Sequence, residues 1–268
     1  MRHAEAIAAI LERHRVKATF FVANEATPAG DGALESRWAR YWRQLADAGH
    51  AFGSHTFDHV RFGPAPRAEG ATVGPAPSNS PAAHVITATA VIASARPEFG
   101  DGAGRAAGWR ADQVCAEVDR VDQRFRELTG RPLDRFWRTP GGRAPDAVYE
   151  AARGCGWRHV GWTEAGFLGD ELPSEQFPNE TLLAQSLRRI GDGDILIAHL
   201  GIRSRRDPYA PMLDRLLPAL HGRGLCFATL AEHPTVRDPE LRPLPEPGSR
   251  RPPAAGIGPQ ARANAAQR

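Results

Sequence analysis

Short apolar runs alternate with amphipathic helical stretches along most of this 268-residue chain, and that alternation constrains the fold more than any other feature. Residues 3–14 put Ile7, Ile10 and Leu11 on one helical face, and the run ATFFVA at 18–23 reads as a buried parallel strand. A helix is predicted over 34–48, with Trp38, Trp42 and Leu45 on one side, and a short strand over 51–54. Val114, Val118, Val121, Phe125 and Leu128 recur at helical spacing, and Gly130 closes that helix. Strands are predicted at 135–137, 159–162, 195–198 and 225–228, and helices at 145–154, 179–190 and 209–222. Repeated strand–helix units imply an α/β fold with a parallel sheet, open or closed into a barrel. The first unit opens on a helix. A parallel barrel short of one strand has two unpaired edges in its centre, so the pattern predicts a strand upstream of residue 3.

Two regions depart from the alternation. Residues 60–108 are rich in Pro, Gly and Ala and read as an inserted loop, with a β-branched stretch at 84–95 suited to a hairpin strand. Residues 238–268 read as a disordered tail, which leaves 1–237 as one domain. The 41% hydrophobic content suffices for a full-sized core. No run of eighteen apolar residues provides a transmembrane helix, and the N-terminus lacks the apolar stretch of a signal peptide. The net charge of +3 is concentrated in the tail, and no basic stripe interleaved with aromatics marks a nucleic-acid site. Cys115, Cys155 and Cys226 lack metal-site spacing and read as small buried apolar residues, with one disulfide left open for an exported protein.

Three segments carry chemistry. His55 and His59 lie four apart after the strand at 51–54, and a helical turn there would aim both rings at one metal. Alone, the pair reads equally as surface or capping histidines. Arg138-Thr139-Pro140-Gly141-Gly142 follows the strand at 135–137; such a turn presents backbone N–H groups to an oxyanion, and its arginine can hold a carboxylate. His199 ends the apolar run at 195–198, where a histidine can act as general acid. All three segments sit at the carboxyl ends of strands, where α/β barrels place their active sites.

The order VKATFF, HTFDH, RTPGG and ILIAHL resembles the NodB-type polysaccharide deacetylases, carbohydrate esterase family 4, over residues 3–233 without the insertion. The resemblance implies a distorted (β/α) barrel of about seven units with its first strand missing from this chain. It implies that His55 and His59 bind zinc or another divalent metal, that Arg138 orients a catalytic carboxylate, and that the Gly141 N–H faces the oxyanion. It implies His199 as the acid that protonates the leaving amine, and Pro140 and Trp162 as substrate contacts. Glu164 and Asp170 are both candidates to tune His199. The family's paired Asp-Asp motif, which supplies a base and a third metal ligand, has no counterpart here, so the chain as written is expected to have little or no activity. The implied substrate is an N- or O-acetylated polysaccharide or oligosaccharide. A small-amide C–N hydrolase and a non-catalytic carbohydrate-binding pseudoenzyme are the alternatives. An upstream signal peptide would imply the cell envelope or exterior, its absence the cytoplasm. The oligomeric state is left open.

Overall fold

A computed structural model describes residues 1–66, 90–202 and 205–237. The expected tail at 238–268 and the middle of the inserted segment lie outside the described residues. Four parallel strands form the main sheet: β1 (Thr19–Val22), β2 (Ala51–Ser54), β6 (Phe136–Trp137) and β7 (Arg158–His159), in the spatial order β1-β2-β6-β7. Helices α1 (Ala4–Arg13), α2 (Ala39–Asp47), α3 (Ala111–Thr129), α4 (Asp146–Gly154), α5 (Asn179–Arg189) and α6 (Leu213–Gly222) fill the intervals. The class is therefore the α/β arrangement that the alternation predicts. No helix among the described residues is long and apolar enough to cross a membrane.

Thr19–Val22 pair in step with Ala51–Ser54, and Ser54 pairs onward with Trp137. Phe52 anchors the core, with its ring 5.7 Å from Phe20 and 4.6 Å from Phe125 of α3. Val114, Val118, Val121 and Phe125 are fully buried. Each such side chain contributes about 1.5–3 kcal/mol relative to exposure. α2 packs on α3, α3 on α4, and α5 and α1 on α6.

Three expectations are corrected. Residues 195–198 and 225–228 are not strands; a single parallel bridge between Phe167 and Ile197 is all that 195–198 makes. Their backbone pairs elsewhere than with β1: Thr163 N donates to Ile195 O at 3.2 Å and Ile197 N donates to Gly166 O at 3.0 Å, while residues 195–198, 225–228 and β1 all line one cavity of about 1350 Å³. The inserted segment is not simply a loop: β3 (Arg61–Gly63), β4 (Val91–Arg96) and β5 (Ala107–Arg110) form an antiparallel sheet in that order. β4 realises the end of the strand expected at 84–95, whose residues 84–89 lie outside the described residues. Cys115 and Cys155 form a disulfide across 6.1 Å between Cα atoms, and Cys226 is free and exposed. Packing of α3 on α4 juxtaposes two cysteines that are 40 residues apart, a proximity no spacing rule detects.

Candidate active site

The end of β2 delivers the first histidine. His55 N donates to Val22 O at 2.8 Å, so the β1–β2 ladder runs up to the site. His55 Nδ1 lies 2.8 Å from Arg138 O. A carbonyl only accepts, so Nδ1 carries the proton and Nε2 keeps its lone pair. Burial, and then the neighbouring His59, hold His55 well below the ordinary histidine value, which leaves it neutral. His59 Nδ1 faces Glu98 Oε2 at 2.7 Å, and the two imidazole rings are 4.9 Å apart.

The pair does not stand on a helical turn. Thr56 and His59 both adopt left-handed backbone, with φ of 59° and 50°. Such conformations cost of order 1–3 kcal/mol and persist only where surroundings over-determine them. Here Val60 N donates to Thr56 Oγ1 at 2.7 Å, and Asp58 N donates to Glu117 Oε1 at 2.6 Å. Burial pushes the Glu117 carboxyl up to about 7.

β6 positions the arginine turn. Arg138 N donates to Ser54 O, while its side chain donates from Nε to Val160 O at 2.9 Å and from Nη2 to Gly161 O at 2.8 Å. The guanidinium lies over the Phe21 ring at 4.2 Å. Two backbone carbonyls thus stand where a carboxylate was expected, and no carboxylate pairs with Arg138 among the described residues. Burial draws its value down to about 9, so the cation persists at neutral pH. Gly141 and Gly142 both have φ near 75°, and a Cβ on Gly142 would come within 2.4 Å of the Trp162 ring. Only glycine lets the turn close against that indole. Pro140 is buried and is not among the residues that line the cavity. Thr139 lines it instead, with a buried Oγ1 that has no hydrogen-bond partner among the described residues.

His199 is held by a side chain rather than by a ladder. Asp170 Oδ2 accepts from His199 N at 2.6 Å, and Oδ1 faces Nδ1 at 3.0 Å. Nε2 lies 3.5 Å from Glu171 Oε2. Burial disfavours the imidazolium, but the Asp170 hydrogen bond and the charges of Asp170, Glu171 and Glu25 outweigh it, so the pKa is raised. Of the two candidate partners, Asp170 meets His199 and Glu164 lies exposed.

One cavity gathers His55, His59, Arg138, Gly141, Trp162 and His199. Glu25, Glu98 and Glu171 also line it and were not foreseen. They stand on connecting segments with no motif of their own, and only the folded chain brings them near the histidines. The two histidines suit a metal, since both ring Nδ1 atoms are taken by acceptors and both Nε2 atoms are left for coordination. No three His, Cys, Asp or Glu side chains among the described residues converge closely enough, as they stand, to hold one.

Residues 2–160 match the polysaccharide deacetylase family. No curated protein matches the chain in sequence. Among solved structures it is similar to a CE4 family pseudoenzyme from Bacillus anthracis, at 18% identity and a TM-score of 0.54, over 86% of this chain and 60% of that one. It is also similar to a family 4 acetyl xylan esterase from Clostridium thermocellum in complex with a cobalt ion, at 19% identity and a TM-score of 0.56, over 87% and 85%. A third is a peptidoglycan deacetylase from Bacillus subtilis, at 14% identity and a TM-score of 0.55, over 88% and 84%. At these identities the likeness is one of fold. The chain spans less than two thirds of the length of the pseudoenzyme.

Proposed function

The chain belongs to the polysaccharide deacetylase family, and on that premise we propose that it is a divalent-metal hydrolase removing acetyl groups from N- or O-acetylated sugars of a polysaccharide or oligosaccharide. The observation that carries this reading is the meeting of His55, His59, Arg138, Gly141 and the Asp170–His199 pair around one cavity.

His55 and His59 would hold the metal through Nε2, since the Nδ1 of each is engaged by Arg138 O or by Glu98. The chemistry such an ion would supply there is polarisation of the acetyl carbonyl and a lowered pKa of water. The Gly141 N–H, at the cavity wall, is the oxyanion donor. His199, whose pKa Asp170 helps to raise, would donate a proton from Nε2 to the leaving amine or alcohol. Arg138 gives the wall a buried positive charge, and Trp162 offers an aromatic face to a sugar ring.

A second reading is non-catalytic carbohydrate binding by the same fold. It is favoured by the lack, among the described residues, of a ready third metal ligand and of a carboxylate on Arg138. Acetate release from N-acetylglucosamine oligomers, acetylated xylan and a small acetamide, with and without a chelator, separates the possibilities. Chelator-sensitive release from the sugars supports deacetylation. Glycan binding that ignores the chelator, with no acetate released, supports the second reading. Release from the small amide alone points to a related C–N hydrolase.

A further inference from the structure

The inserted segment sends Arg61, Glu98 and Phe99 to the cavity wall. β3 leaves the histidine loop directly: Val60 is fully buried, its N–H held by Thr56 Oγ1, and Arg61 is the next residue. Beyond β4, Glu98 N and Phe99 N both donate to Asp58 O, at 3.0 and 3.2 Å. The sheet is fixed to the body, since Ala93 and Ala95 of β4 are fully buried and Phe62 packs edge-on against Trp109.

The Arg61 guanidinium lies over the glycine turn, against which β3 packs. Nη1 is 2.9 Å from where a Cβ would stand on Gly141, and the side chain is 57% exposed. Nε donates to Glu98 Oε1 at 2.5 Å, while Nη1 and Nη2 have no hydrogen-bond partner among the described residues. A guanidinium stays charged at any ordinary pH, and its free N–H groups form a fork that matches a carboxylate. Arg138, the arginine of the turn itself, is engaged differently, because the carbonyls of Val160 and Gly161 take its Nε and Nη2.

Across the inserted sheet, the register partner of Arg61 is Arg96. Like charges directly opposite each other in an antiparallel pair are destabilising. No carboxylate pairs with Arg96 among the described residues, so Glu98 offsets one of two arginines. A net positive charge is left where the sheet meets the Gly141 turn, and such a charge attracts anions.

We propose that Arg61 makes the cavity selective for acetylated sugars that carry a carboxylate, as a uronic acid does, with Arg96 raising the local potential. Gly141 is the oxyanion donor in the deacetylase reading, so an acid group met by Arg61 belongs to the acetylated sugar or to its neighbour in the polymer. This inference rests on that reading, and the two fail differently.

The test measures kcat/KM for acetate release by the full chain supplied with Zn(II). The substrates are an O-acetylated galacturonate oligomer, an N-acetylated aminouronate oligomer, and the methyl ester of each, in which the carboxylate charge is removed. Wild type should favour acid over ester by about three- to tenfold, the worth of a charge-assisted contact at an arginine this exposed. The preference should shrink as salt is raised. Arg61→Gln should bring the acid-to-ester ratio close to one, and Arg61→Lys should keep part of it. Arg96→Gln leaves the Arg61–Glu98 contact in place and should lower the ratio by a smaller factor. Equal handling of acid and ester by wild type overturns the inference. So does an Arg61→Gln loss shared equally by both, which makes Arg61 a support for Glu98 and leaves the deacetylase reading standing. If no substrate releases acetate, the deacetylase reading fails, and calorimetric binding of the same pairs decides the inference. Tighter binding of the acid that Arg61→Gln abolishes upholds it; equal or absent binding ends it.

Discussion

The two edges of β1 are built on different principles. Toward β2, Thr19–Val22 pair residue for residue with Ala51–Ser54, and Phe20 stacks on Phe52. Toward residues 195–200 lies a cavity of about 1350 Å³. His55 and Arg138 belong to the first edge, where backbone hydrogen bonds to Val22 and Ser54 set them in place. His199 belongs to the second and depends on one carboxylate, Asp170. The lesson is that one half of the site has its backbone set by sheet register. The other half hangs on a single residue.

Substitutions on the two edges can break this contrast. Phe52→Ala removes the ring between Phe20, Trp42 and Phe125 and should cost about 3–5 kcal/mol in urea unfolding. Ile197→Ala, on the cavity wall, should cost about 2 kcal/mol, because its surroundings are already open on one side. Equal costs would mean the cavity side is packed as tightly as the ladder side.

Asp170→Asn is the next largest. Acetate release should fall by about 10²-fold or more, the contribution usual for a general acid, with Co(II) binding unchanged. The His199 imidazole, followed by NMR across pH, should lose the upward shift that Asp170 supplies. An unchanged titration would show that something other than Asp170 governs His199.

Glu117→Gln probes the support beneath the histidine loop. In the folded protein the Glu117 pKa is about 7, above the ordinary 4.5. The folded state therefore binds more protons than the unfolded state between these values, and Glu117 stabilises less as pH rises from 4.5 through 7. At about 1.4 kcal/mol per pKa unit, wild type should lose roughly 1–3 kcal/mol relative to Glu117→Gln over that interval. Parallel stability profiles for the two proteins would refute the buried-carboxyl assignment.

Much of this site was legible because its signals are local. HTFDH and RTPGG each follow a strand, the third histidine follows an apolar run, and five of the six residues named on the cavity wall come from those short segments. The geometry of HTFDH was not legible. Four-residue spacing suggests a helical turn, whereas left-handed Thr56 and His59, tied through Thr56 Oγ1 and Glu117, bring the rings together. Glu25, Glu98 and Glu171 lie outside every motif, so only the fold assigns them to the histidines.

What the sequence determined by itself is the order of elements and the residue types at their ends, since hydrophobic period and turn chemistry act over a few neighbours. The tertiary structure decided which apolar runs join the ladder, that Cys115 meets Cys155, and which carboxylate stands beside each histidine. Those outcomes depend on contacts between residues far apart in the chain, and a hydrogen-bond partner or a shared cavity wall leaves no periodic trace in the sequence.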